Sequence, residues 1–420
     1  MGRFSQKPFH VIAKPTGPSC NLNCRYCFYL DKAELFGSKK GFRMPLDVLE
    51  AFIKSYIEAQ PTQSVGFVWQ GGEPTLLGLD FFKTALALQK RYALGKRVEN
   101  ALQTNGVLLD DDWCAFLAQN GFLVGISVDG PQKFHDAYRT FKGGQPSFQA
   151  IMRALRLLKK HGVDYNTLCC VHRANQDFPL EVYDFLRAEG SGYIQFIPVV
   201  ERMSFAKGLE NERPSQKGPD GDASVAPFSV EPLAFGRFLC RIFDKWVQRD
   251  LQRVFVQHFD TALESWVGLE PSLCLFRKTC GDALAIEHNG DLYSCDHFVF
   301  PEHRLGNILK TPLPSLALGT KQRAFGLDKL ITLPSCCQTC EVRFACNGEC
   351  PKNRFTLSVG GEPGLNYLCE GYRVFFNHID PFMRFMANEL HRGRAPANVM
   401  AWARARLAKG ASVQSLNHET

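Results

Sequence analysis

Between residues 9 and 200 the chain alternates two hydrophobic patterns. Short apolar or β-branched runs closed by turn signals predict strands at His10–Lys14, Val65–Trp69, Asn100–Gln103, Leu123–Val128, Tyr165–Val171 and Tyr193–Pro198. The longer segments between them predict helices at Leu46–Ala59, Asp80–Tyr92, Asp111–Gln119, Ser147–His161 and Leu180–Ala188. Within Ser147–His161 the apolar Ile151, Ala154, Leu155 and Leu158 recur at helical spacing. Strand–helix alternation implies a parallel sheet. Six such units are too few to close an eight-fold barrel, so the expected architecture is α/β, a partial (β/α)6 TIM-like barrel. Chemistry in such a barrel sits at the C-terminal ends of the strands. From 203 to 230 the periodicity gives way to Gly, Pro, Ser and charge, which predicts a linker or surface insertion. A helix over about Pro232–Asp250 follows. Near the end a helix is expected from Tyr372, interrupted at Pro381, with a flexible basic tail from about Ala411.

The cysteines change this picture. Cys20-Asn21-Leu22-Asn23-Cys24-Arg25-Tyr26-Cys27 places three thiols in eight residues, directly after the first predicted strand. Thiolates bind soft metals, and three on one loop can hold three corners of an iron–sulfur cluster. A fourth ligand is missing nearby, since the next cysteine is Cys114. A cluster so held keeps one iron open. By spacing alone a zinc knuckle or three buried thiols also satisfies the motif. The loop after strand two, Gln70-Gly71-Gly72-Glu73-Pro74, has paired glycines that let backbone approach a ligand. Strand four ends in Ser127-Val128-Asp129-Gly130-Pro131, with Arg139 beyond it.

A second concentration lies at 274–369: Cys274, Cys280, Cys295, Cys336, Cys337, Cys340, Cys346, Cys350 and Cys369. Asn289-Gly290 predicts a hairpin that puts Cys295 on the returning strand. A pair of zinc ribbons could be built from the same spacings. Composition then narrows the class. Sixteen cysteines in 420 residues, with no apolar leader over Met1 to Lys14, favour metal chemistry in a reducing cytoplasm over disulfides. No run approaches the ~20 apolar residues of a membrane span. A net charge of +7, concentrated in the C-terminal tail, does not make the basic, aromatic-bearing face that nucleic acid requires.

The cysteine loop, with Tyr26 before its last thiol, resembles the signature of the radical S-adenosylmethionine family. That resemblance implies an open iron that binds the amino and carboxylate groups of S-adenosylmethionine. It also implies cofactor contacts from Tyr26, Gly71, Gly72, Glu73, Ser127, Arg139 and Val200. The C-terminal cysteines resemble the SPASM extension of peptide-modifying radical enzymes, which carries two auxiliary four-iron clusters. Mapping by order assigns Cys274, Cys280, Cys295 and Cys350 to the first, and Cys337, Cys340, Cys346 and Cys369 to the second. Cys336 competes with Cys337; the resemblance implies Cys337, which gives the family's two-residue gap to Cys340.

Divided this way, the chain reads as a barrel over 1–202, a linker and bridging helices over 203–273, a SPASM domain over 274–370, and a helix with its tail over 371–420. Across 9–370 the whole resembles the anaerobic sulfatase-maturating enzymes, which convert a Cys or Ser in a C/S-x-P-x-R context to Cα-formylglycine. The resemblance implies three four-iron clusters, an unfolded or nascent sulfatase as substrate, and a donor such as flavodoxin or ferredoxin. It makes Asp296 the base, where residues alone would give a solvated carboxylate, and Tyr29 and Gln70 orienting groups for the peptide. The alternatives are another SPASM maturase that makes crosslinks, or a non-catalytic iron–sulfur or zinc regulator.

Overall fold

Ten strands form one sheet: β1 (His10–Lys14), β2 (Ser64–Trp69), β3 (Arg97–Thr104), β4 (Leu123–Ser127), β5 (Tyr165–Val171), β6 (Tyr193–Pro198), β7 (Phe255–Val256), β8 (Ala283–Glu287), β9 (Asp291–Tyr293) and β10 (Arg304–Asn307). The computed structural model describes residues 7–37, 41–202 and 224–416. In space the strands run β10-β9-β8-β1-β2-β3-β4-β5-β6-β7. Every neighbouring pair from β1 to β7 is parallel. The six predicted strands are therefore the six central units of the partial barrel. Helices α1 (Leu46–Ala59), α2 (Leu79–Tyr92), α3 (Asp111–Gln119), α4 (Gln132–Tyr138), α5 (Phe148–His161) and α6 (Pro179–Glu189) make the crossovers. Each buries one apolar stripe: in α5 the buried residues include Ile151, Ala154, Leu155 and Leu158, the positions its periodicity named.

The sheet continues beyond the barrel at both edges. On one side β7 leads into α8 (Gln257–Trp266), after α7 (Pro232–Arg249). On the other, β8 pairs in parallel with β1 over five positions, from His10↔Ala283 to Lys14↔Glu287. Parallel pairing puts the C-terminal ends of both strands at the same rim. β8 and β9 form the expected hairpin, with Ala285↔Tyr293 and Ile286↔Leu292 opposed. Its turn spans 288–290 rather than two residues. Gly290 N–H bonds to Glu287 O at 2.9 Å, and Gly290 takes the left-handed φ of 83°. That is the three-residue loop in which glycine fills the αL position. Cys295 falls just past β9, not on it, because β9 ends at Tyr293.

Two expectations about the C-terminal end are corrected. One helix runs from Cys369 to His391 straight through Pro381. Proline removes one helical N–H, but Phe375, Phe376, Ile379, Phe382, Met383 and Met386 are all buried around it, and packing outweighs the lost bond. The last helix spans Val399–Leu416, so the chain is helical past Ala411. Most of the stretch read as a linker, 203–223, lies outside the described residues, as does the end of the tail, 417–420. Among the described residues, no helix is long and apolar enough to cross a membrane.

Candidate active site

The rim of the sheet gathers the sequence-predicted residues. The loop after β1 carries Cys20, Cys24 and Cys27, all partly buried and within electrostatic reach of one another. Burial pushes the Cys20 thiol up to about 12 and the Cys27 thiol up to about 11. Such thiols stay protonated and inert unless a metal takes the proton's place. Asn105 Nδ2 reaches Cys20 Sγ at 3.6 Å and Asn21 Oδ1 at 2.7 Å, which steadies the loop from the end of β3.

The Gly-Gly loop after β2 is laced to the cysteine loop by backbone. Gly72 N–H donates to Gly17 O and Glu73 N–H to Ser19 O, both at 2.8 Å. A Cβ on Gly72 would fall 2.0 Å from the Ser19 carbonyl oxygen, so only glycine fits. Gly71 adopts φ 135° over Lys14 and Gly17. Glu73 is buried, and its carboxylate accepts from Thr75 Oγ1 at 2.6 Å, Thr104 Oγ1 at 2.7 Å and Asn105 N at 2.8 Å. Burial raises its pKa against these bonds. Gln70 is half-buried, with its N–H on Ala13 O at 2.9 Å. Ser127 Oγ accepts from Gln103 Nε2 at 3.3 Å.

Arg139 is not a surface ion pair. It is buried, with Nε 2.8 Å from Asp129 Oδ2. The same Asp129 oxygen accepts the Tyr26 hydroxyl at 2.5 Å, while Oδ1 accepts Cys170 N–H at 2.9 Å. His172 Nε2 stands 3.6 Å away. Burial works to raise the Asp129 carboxyl, and Arg139 with His172 outweighs it, holding it well below the usual range. Asp129 thus joins the cysteine loop, through Tyr26, to Arg139 beyond β4. Val200 is buried on the far side, and its carbonyl accepts from Lys352 Nζ at 3.1 Å.

The nine C-terminal cysteines sort into two groups. Cys274 lies within electrostatic reach of Cys280, Cys295 and Cys350. Buried Lys329 stands beside them, its Nζ on the carbonyls of Cys274 and Leu275 at 2.8 Å. Cys337, Cys340, Cys346 and Cys369 form the other, with Cys336 beside Cys337 and Cys369. Burial pushes the thiols of Cys337 and Cys346 up to about 12 and that of Cys369 up to about 11. Buried Lys329 and half-buried Arg354 stand beside these thiols, cations that would offset the negative charge of thiolates.

Asp296 follows Cys295 and turns toward the barrel. Its Oδ1 pairs with Lys14 Nζ at 2.5 Å, with side-chain exposures of 14% and 1%. Burial raises this carboxyl, and Lys14 more than offsets that, leaving it below its ordinary value. Tyr29 packs beneath: the Lys14 ammonium lies 4.2 Å over its ring, and its hydroxyl donates to the buried Glu287. The sequence did not single out Lys14 or Glu287, nor give Asp129 a role. The only local signal for Lys14 and Glu287 is a charged residue closing an apolar strand. Asp129 sat inside a quoted motif.

Comparison with known proteins gives the family. Residues 15–186 match the Radical SAM superfamily and residues 274–341 an iron–sulfur cluster-binding domain. The chain is 48% identical to a serine-type anaerobic sulfatase-maturating enzyme of Bacteroides thetaiotaomicron, over 94% of this chain and 95% of that one. It is 31% identical to a cysteine-type enzyme of Clostridium perfringens, over 91% of this chain and 99% of that one. Its fold superposes on native anSMEcpe with bound AdoMet and Cp18Cys peptide at a TM-score of 0.79 and 31% identity, covering 91% of this chain and all of that one. With matches that run nearly end to end in both partners, the chain belongs to the anaerobic sulfatase-maturating enzymes of the radical S-adenosylmethionine superfamily.

Proposed function

We propose that this protein oxidises a Cys or Ser of an unfolded or nascent sulfatase, in a C/S-x-P-x-R context, to Cα-formylglycine. The observation that carries this reading is the Lys14–Asp296 ion pair, which brings the carboxylate beside Cys295 to the barrel rim that bears Cys20, Cys24 and Cys27. When bound, the cofactors supply one-electron cleavage of S-adenosylmethionine, abstraction of a substrate hydrogen atom, and a sink for the second electron. Cys20, Cys24 and Cys27 hold the cofactor-binding cluster. Tyr26, Gly71, Gly72, Glu73, Ser127, Arg139 and Val200 would line the S-adenosylmethionine site, with Glu73 offering a carboxylate for its amino group and Arg139 a guanidinium for its carboxylate.

Cys274, Cys280, Cys295 and Cys350 would hold one auxiliary cluster, and Cys337, Cys340, Cys346 and Cys369 the other. Clusters ligated only by protein would supply electron transfer. Gln70 orients the peptide's target side chain, and Tyr29, buried beneath Lys14 with its hydroxyl on Glu287, supports the site from below. Asp296 removes its thiol or hydroxyl proton, which makes the remaining electron easier to lose. A reduced flavodoxin or ferredoxin in the cytoplasm is the donor. The higher identity to serine-type than to cysteine-type relatives supports serine as the target. Anaerobically reconstituted protein, carrying about twelve irons, is incubated with S-adenosylmethionine, a reductant and paired Ser and Cys peptides. Formylglycine in the Ser peptide is the expected product. Cofactor cleavage with neither peptide altered would contradict the reading.

A further inference from the structure

Lys14 ends β1 with 1% of its surface exposed. An ammonium buried this completely is costly unless paired and bonded, so its neighbours define what it does. Asp296 Oδ1 is 2.5 Å away and the Tyr29 ring lies beneath it at 4.2 Å. Across the sheet its register partner is Glu287 of β8, which is 0% exposed. Register partners on parallel strands project to the same face. Glu287 in turn accepts the Tyr29 hydroxyl, and its second oxygen lies 3.5 Å from His288 Nδ1. The Lys14 ammonium is therefore paired with Asp296 over the Tyr29 ring, and Glu287 holds that ring's hydroxyl from the neighbouring strand. The strand end is itself fixed: Gln70 N–H bonds to Ala13 O, and Gly71 packs on the Lys14 Cα.

A carboxylate is free to rotate about its terminal torsion, and a base must come within about 2.6–3.2 Å of the proton it takes. We propose that Lys14, braced by Glu287 and Tyr29, is the positioning residue that aims Asp296: it captures Oδ1 and leaves the second oxygen for the substrate side chain. The inference rests on the reading of Asp296 as the base. It gives β1 a second task, beside leading into the cysteine loop. It also explains why a charged residue closes each of the two paired strands, where apolar residues would bury more cheaply.

A double-mutant cycle tests it. Formylglycine is measured per 5′-deoxyadenosine, together with iron content and peptide affinity. Lys14→Met keeps the stem and removes the ammonium. It should lower the ratio about 10²-fold, as a misplaced catalytic group does, through kcat with peptide affinity retained. In an Asp296→Asn background the same change should cost nothing further. Glu287→Gln, nearly isosteric, is the second variant and decides the matter if Lys14→Met loses iron: it should lower the ratio several-fold with Asp296 present and not at all without it. If Asp296→Asn itself leaves formylglycine intact, the base reading falls. If Asp296→Asn abolishes it but the Lys14 and Glu287 changes leave the ratio untouched, or act equally in both backgrounds, the positioning role is overturned.

Discussion

Cys336 and Cys337 are neighbours in sequence, and the structure brings both near Cys369, with Cys336 exposed and Cys337 half-buried. The burial and the two-residue gap to Cys340 favour Cys337 as the ligand. Replacing Cys337 with Ser should remove about one cluster's worth of iron, whereas Cys336→Ser should leave the iron count whole. Iron and sulfide analysis of the two variants decides it, and the reverse pattern would transfer the role to Cys336. At this scale the Cys20–Cys27 motif was legible because metal-binding loops encode ligands at short, fixed spacings. Asp129 was not. Its importance comes from Arg139 ten residues on and from two partners distant in the chain, Tyr26 and Cys170, which reach it only once the sheet is assembled. Lys14 and Glu287 were hidden for the same reason. A strand-end charge in sequence gives no hint that the neighbouring strand ends in its counter-charge.

At the level of elements, α7 crosses the Cys369–His391 helix through two glycines. A Cβ on Gly371 would fall 2.0 Å from the Pro232 carbonyl oxygen, and one on Gly236 would fall 2.3 Å from the Gly371 oxygen. Glycine inside a helix normally costs about 1 kcal/mol relative to alanine. Here the clash is with backbone on both sides, and overpacking of this kind costs about 1–3 kcal/mol or more. The steric term wins, so Gly371→Ala should destabilise the protein despite better helix propensity. Thermal or denaturant unfolding of the variant measures this, and a raised melting temperature would refute the close crossing. Cys369 opens this helix, so the same variant should loosen the thiol group at its start. Helix limits were largely readable: α1 and α3 lie where their periodicity put them. The short strands β7 and β10, of two and four residues, were not, because so few positions carry no period. Pro381 was misread because a local rule was applied where tertiary packing decides.

On the scale of the whole molecule, the pairing of β1 with β8 joins the barrel to the cysteine-rich region in one sheet. Because the pairing is parallel, the first cysteine loop and the β8–β9 turn leave the sheet at the same rim, and Asp296, past antiparallel β9, is tied back to the end of β1 by its ion pair with Lys14. The barrel was legible from strand–helix alternation, and the second cysteine set from its resemblance to an auxiliary-cluster domain. The join was not, since a long crossover separates β1 from β8 and nothing local announces the pairing. In the proposed function this becomes a division of labour: the barrel's cysteine loop and the residues around it would serve radical generation, while Asp296 would complete substrate oxidation. Asp296→Asn separates the two tasks. Asn is nearly isosteric but accepts no proton at neutral pH. In a variant with full iron content, 5′-deoxyadenosine should continue to form while formylglycine falls ~10²–10⁴-fold, as expected for a lost general base. Measuring both products in one anaerobic reaction is the most direct test; unchanged formylglycine, or an equal fall in both, would contradict the account.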